Sequence, residues 1–175
     1  QIKLTIENPT DKAVESGDWT LSVGPGLGTI PTEEEENVSL KRSLGFIRGE
    51  NGLNGKIEVF KQPGDVRADY RWIGVDNRYF LAALLPKTGD FSKAEALDSH
   101  RVRLTAKSAT LAPRSSLTWI VPFYIGAKGH TWLSRYKLDL ERSIDFGFFS
   151  QLGRTVLKFL PQDAASQAEM ARRLG

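Results

Sequence analysis

Residues 68–85, Ala68-Asp69-Tyr70-Arg71-Trp72-Ile73-Gly74-Val75-Asp76-Asn77-Arg78-Tyr79-Phe80-Leu81-Ala82-Ala83-Leu84-Leu85, read as two strands, Ala68 to Val75 and Arg78 to Leu85, around a turn or bulge at Asp76-Asn77. The second strand is nearly all apolar, which predicts a central strand covered on both faces. Downstream, Arg101 to Ala106, Ser108 to Ala112 and Ser116 to Ile125 read as further strands, with Pro113-Arg114 as a turn. Upstream, Lys56-Ile57-Glu58-Val59-Phe60 alternates, whereas glycines 45, 49, 52 and 55 break up the stretch before it. Apolar Ile2, Leu4 and Ile6, and likewise Trp19, Leu21 and Val23, alternate with polar neighbours. These two runs are expected to pair as an antiparallel meander through the turn Asn8-Pro9-Thr10-Asp11-Lys12, and the second ends at Gly24-Pro25-Gly26-Leu27-Gly28. The acidic run Glu33 to Glu36 makes residues 31–41 a solvated loop. Little helical period occurs before Gly126, so the fold class expected is mainly β, an antiparallel β-sandwich burying two apolar faces against each other.

After Gly126 the period changes. His130 to Tyr136 reads as a short helical piece, and Phe146 to Leu160 as an amphipathic helix. At about 100° per residue, Phe146, Phe148, Phe149, Leu152, Val156, Leu157, Phe159 and Leu160 share one half of the wheel. Ser150, Gln151, Arg154, Thr155 and Lys158 fill the other half. Asp145 suits the helix start and Pro161 stops it. The apolar half has two destinations: an end of the sandwich, or a membrane interface, for which Arg154 and Lys158 supply the cations that anionic headgroups attract. Three parts follow: a β-sandwich over residues 1–128, a helical amphipathic segment over 129–160, and a tail over 161–175 with no assigned role.

Composition narrows the function classes. The chain of 175 residues carries 24 Lys+Arg against 21 Asp+Glu, a formal charge of +3, with 40% hydrophobic residues. That balance supports a packed core, and without a basic block it gives no footprint for nucleic acid. No cysteine is present, which removes disulfides, thiolate metal sites and cysteine nucleophiles together. The longest apolar run, Tyr79 to Leu85, falls far short of the roughly twenty residues that cross a bilayer. Because the sequence opens inside a strand rather than on a signal peptide, it is expected to be a segment of something longer.

Candidate chemistry is sparse. His100 and His130 both lie in polar, turn-like settings without the spaced partners of a metal site. Gly24 to Gly28 lacks the Lys-Ser/Thr pair of a phosphate loop, and no Gly-x-Ser-x-Gly elbow occurs. Glu58, Asp65, Asp69 and Asp76 are the carboxylates to test for acid–base work on sugars, and Trp72, Trp119, Tyr79 and Phe80 the aromatics for a stacking platform. The expectation is no catalytic residue, no metal and no cofactor. A carbohydrate-binding or mutarotase-like sandwich is the alternative.

Three segments, Tyr124-Ile125-Gly126-Ala127-Lys128, Leu140-Glu141-Arg142-Ser143-Ile144-Asp145-Phe146-Gly147-Phe148-Phe149 and Leu157-Lys158-Phe159-Leu160, resemble the end of the large periplasmic domain of YidC-type membrane protein insertases. Upstream, Thr5-Ile6-Glu7-Asn8-Pro9-Thr10, Val23 to Gly28 and Trp72 to Pro86 fit the same family in the expected order. Ala127 replaces the Pro of the family's Tyr-x-Gly-Pro-Lys pattern. Residues 161–175 do not resemble its transmembrane continuation, and the N-terminal end looks short of strands. The resemblance implies a β-supersandwich similar to galactose mutarotase, on the periplasmic face of the bacterial inner membrane. It implies partners as well: the Sec translocon, through a subunit such as SecF, and nascent membrane-protein clients. No mutarotase chemistry passes with the fold. Phe146, Phe148, Phe149, Leu152, Arg154, Val156, Lys158 and Leu160 are then the residues expected at the membrane or partner surface.

Overall fold

The computed structural model describes residues 1–25, 27, 41–49, 55–66, 69–87 and 89–144. The acidic run and the Phe146 to Leu160 segment lie outside the described residues. The chain divides into two units, Gln1–Lys128 and Gly129–Gly175.

Among the described residues the first unit contains thirteen antiparallel strands: β1 (Ile2–Glu7), β2 (Val14–Glu15), β3 (Trp19–Val23), β4 (Arg42–Ile47), β5 (Lys56–Phe60), β6 (Gly64–Asp65), β7 (Tyr70–Asp76), β8 (Phe80–Leu84), β9 (Lys93–Asp98), β10 (Arg101–Ala106), β11 (Thr110–Leu111), β12 (Ser116–Val121) and β13 (Phe123–Ala127). A five-stranded sheet runs β13-β8-β7-β4-β5 and a four-stranded sheet β3-β10-β9-β6, with the ribbons β1-β12 and β2-β11 beside them. Ile47, Ile73 and Leu84 from the first sheet and Ala94, Val102, Leu104 and Ala106 from the second form one buried cluster. This is the expected sandwich, closed by apolar faces that alternate along each strand.

The five-stranded sheet is buried on its other face too. Leu44, Phe46, Trp72, Leu81 and Ala83 alternate with the residues of the shared core and are equally inaccessible. That explains why β8 reads as an uninterrupted apolar run: it lies second from the edge with both faces covered. The turn expected around Asp76-Asn77 is present but begins at Asn77, Asp76 being the last residue of β7. Asn77 Oδ1 accepts from the amides of Tyr79 at 2.9 Å and Phe80 at 2.8 Å, an Asx arrangement that stands in for backbone pairing.

Several expectations are corrected. The first two strands do not pair as a meander: β1 pairs with β12 and β3 with β10. Asn8 decides this. Its side-chain amide donates to the carbonyls of Lys12 at 2.8 Å, Ala112 at 2.9 Å and Leu111 at 3.1 Å, and its backbone amide to Ser115 at 2.8 Å, so the chain after β1 is tied to the β11–β12 turn. Thr5 and Thr118 hydroxyls then meet at 2.9 Å across a separation of 113 residues. The single strand expected over Ser116 to Ile125 is two strands in different sheets, because Pro122 interrupts the ladder between them. Ser108 to Ala112 contributes only the two residues of β11.

Four strands escape the sequence reading, the two-residue β2 and β6 and the longer β9 and β4. Lys93–Asp98 carries small Ala94 and Ala96 on its buried face, a weak apolar signal. Arg42–Ile47 contains Gly45, where a side chain would be tight: a Cβ there would sit 3.0 Å from the Trp72 carbonyl oxygen and 3.2 Å from the Phe60 ring. Gly74 is tighter. A Cβ built on it falls on the Ala82 carbonyl oxygen and 2.8 Å from Ala83 Cα.

On the outer face of the four-stranded sheet, Glu95 accepts from Lys93 at 2.8 Å and from Arg103 at 3.0 Å. The Lys93 ammonium holds the Glu95 carboxyl below its ordinary 4.5; partial burial opposes this, and Arg103 adds to the lowering.

Gly74→Ala is expected to destabilise the sandwich by about 1–3 kcal/mol in urea titration, as overpacking does, with Gly64→Ala, where nothing lies within 4 Å, as the near-neutral control. Because its folded pKa is depressed, Glu95 contributes stability above about 4.5 that is lost as pH falls through the folded value. The gap between wild type and Glu95→Gln, about 0.5–1 kcal/mol at neutral pH, should close in acid. A gap that stays constant with pH would rule out this contribution.

Candidate functional site

A polar cluster in the first unit centres on Asp76, the last residue of β7 and only 1% exposed. Arg42 lies directly opposite in β4 and grips the carboxylate with two bonds, Nε to Oδ1 at 3.0 Å and Nη2 to Oδ2 at 2.7 Å. Lys128, one residue past β13, brings Nζ to 2.7 Å of Oδ2 and 3.2 Å of the Asn77 carbonyl, with its side chain 6% exposed. The Lys128 backbone amide meanwhile donates to the Tyr79 carbonyl at 2.7 Å. Both carboxylate oxygens are therefore committed. Of the four carboxylates singled out for acid–base work, Asp76 is a structural ion-pair centre, and Asp65 is paired with Lys93 at 3.1 Å.

The aromatic platform is not assembled. Trp72 is 0% exposed and Trp119 packs edge-on against Trp19 with ring centroids 5.1 Å apart, leaving Tyr79 and Phe80 at the surface. Register puts Phe80, Ile125 and Phe123 on one face of the β8–β13 pair, and all three are exposed. Arg78 lies over the Tyr79 ring at 5.6 Å. A groove in the first unit is lined by Lys41, Arg42, Val59, Phe60, Lys61, Ser99 and His100, a cationic and apolar set without a carboxylate. His100 accepts or donates to Ser99 at 3.0 Å. Among the described residues no cluster of His, Asp and Glu is arranged to hold a metal ion, and no helix is long and apolar enough to cross a membrane.

In the second unit, α1 (His130–Ser134) and a 3-10 helix (Leu140–Ser143) turn Leu133 and Leu140 inward, both fully buried. The short helix expected after Gly126 is thus present. Trp132 points outward, 62% exposed, with Arg135 stacked over its ring at 4.6 Å and Tyr136 55% exposed on the next turn. Sequence reading assigned these three residues to a helix but gave them no role; the signal available was their i, i+3, i+4 spacing. Phe146, Phe148, Phe149, Leu152, Arg154, Val156, Lys158 and Leu160 lie outside the described residues.

Fold and surface together define a class: an antiparallel β-sandwich domain whose buried polar cluster is structural and whose surface displays aromatic side chains. The chain belongs to the YidC periplasmic domain family, whose model matches residues 29–159. The membrane protein insertase YidC of Endomicrobium trichonymphae is 35% identical over 144 residues, covering 80% of this chain and 27% of that protein. That of Magnetococcus marinus is 27% identical over 128 residues, covering 67% and 22%. That of Geobacter metallireducens is 31% identical over 93 residues, covering 51% and 17%. The chain spans about a quarter of the length of the first two relatives.

Two of the segments that carry the resemblance, Trp72 to Pro86 and Tyr124 to Lys128, converge on the Asp76 cluster. Replacing Asp76 by Asn leaves a buried ammonium and a guanidinium without their countercharge, and is expected to cost about 3–5 kcal/mol in urea titration. Lys128→Met should cost less, because Arg42 still holds both oxygens. Equal losses for the two variants would contradict the central position of Asp76.

Proposed function

We propose that this domain works on the periplasmic face of the bacterial inner membrane as the accessory part of an insertase, assisting membrane-protein insertion and folding by contact and without catalysis. Membership of the YidC periplasmic domain family over residues 29–159 carries this reading. Its contacts are with the Sec translocon, through a subunit such as SecF, and with external segments of nascent membrane proteins. The sandwich of residues 1–128 is the contact platform, and residues 129–160 are the segment that meets the membrane. There Phe146, Phe148, Phe149, Leu152, Val156 and Leu160 enter the interface while Arg154 and Lys158 meet anionic headgroups. The exposed Phe80, Phe123 and Ile125 support a role in protein contact, since clustered apolar side chains at a surface mark interaction sites.

The carbohydrate alternative gains no support from the geometry, because Asp76 is locked in its ion pairs and Trp72 has no accessible face. Flotation of the 175-residue chain with anionic vesicles, compared with a variant lacking residues 145–160, tests the membrane assignment. Binding by the intact chain and marked loss in the variant is the expected result. Equal flotation, or none by either, would sink it.

A further inference from the structure

Of the four tryptophans, Trp72 is buried, Trp19 and Trp119 pack against each other, and Trp132 alone is largely exposed. An indole left in water forgoes a large burial gain, on the order of 2–3 kcal/mol for a full-sized side chain. The helix had the alternative of burying it, yet turned Leu133 inward instead. Trp132 is also not isolated. Arg135 stacks on its ring, and Tyr136, whose amide continues the helical turn by donating to the Leu133 carbonyl at 3.2 Å, follows at i+4.

We propose that Trp132, Arg135 and Tyr136 form a membrane-interface anchor, seated at the headgroup level of an anionic bilayer independently of residues 146–160. Trp and Tyr have an apolar body and a polar tip, which suits the boundary between acyl chains and water. A guanidinium stacked on the indole is held where it can bond lipid phosphate. Charge selects the bilayer over other occupants: residues 130–137 contain Arg135 and Lys137, both exposed, and no carboxylate. The nearest acid, Asp139, is turned to Arg142 at 3.4 Å. Sequence continuity points the same way, because this turn leads into the segment whose pattern sorts into apolar and cationic halves. The inference rests on the proposed location at a membrane face, though not on the binding of residues 146–160.

Trp132 makes the test specific, since residues 145–175 contain no tryptophan. Tryptophan emission of the 175-residue chain is followed on adding phosphatidylglycerol-containing vesicles, with and without brominated acyl chains. A blue shift and bromine quenching are expected, retained at higher lipid concentration when residues 145–160 are removed and lost in Trp132→Phe. Arg135→Glu, which reverses one charge, should weaken apparent vesicle affinity roughly tenfold. Flotation that persists while emission is neither shifted nor quenched would overturn the anchor and leave the 145–160 assignment standing. Equal quenching in Trp132→Phe would overturn it as well. Quenching that survives loss of residues 145–160 would separate this contact from that one.

Discussion

A carboxylate buried at the end of β7 sets the terms for the rest of the sandwich. Asp76 cannot remain ionised away from water without partners, since desolvation of a lone charge costs several kcal/mol. Its partners come from far along the chain on both sides, Arg42 from β4 and Lys128 from beyond β13. Satisfying it therefore requires β4 beside β7 in one register and the end of β13 beside the Asn77–Phe80 turn. A one-residue slip of β4 would send Arg42 to the opposite face and leave Asp76 with Lys128 alone. Such a pair is weak evidence for stability, but it rejects alternative pairings that the apolar residues alone would tolerate.

The apolar side of the structure is permissive by comparison. The five-stranded sheet buries both faces, one in the shared core with the four-stranded sheet and one around Leu44, Phe46 and Trp72. Where the sheet needs close approach it uses Gly45 and Gly74, whose missing side chains leave room for neighbouring backbone. Where it needs to release a strand it uses Pro122. These are local devices, and each serves an arrangement that also depends on contacts between strands distant in the chain.

For function, the division of labour is between residues that hold the fold and residues left outside. The motifs by which the chain resembles the YidC periplasmic domain include Asn8, Asp76 and Lys128, and each is a buried hydrogen-bonding hub rather than a reactive group. Phe80, Phe123 and Ile125 in the sandwich and Trp132 and Tyr136 after it are large side chains that stand exposed. The polar interior serves to keep that surface in place.

The sequence by itself determined most of the strands, because period-2 alternation in Ile2 to Glu7, Trp19 to Val23 and Lys56 to Phe60 reports a half-buried pleat directly. It also determined a break between strands near Asn77 and the short helix at His130, both of which depend on residues within four positions of one another. Pairing was beyond its reach. The partner of β1 lies in β12, and local alternation is identical whichever strand stands opposite. Gly45 spoke against β4 and small Ala94 and Ala96 muted β9, since a strand's signal fades where tertiary neighbours demand small side chains. Asp76 looked like a carboxylate available for chemistry, and Trp132 like one aromatic among many. Only the tertiary structure decided that the first is sealed between two cations and the second left in the open, because burial and charge pairing depend on which distant segments arrive at a residue rather than on the residues beside it in the chain.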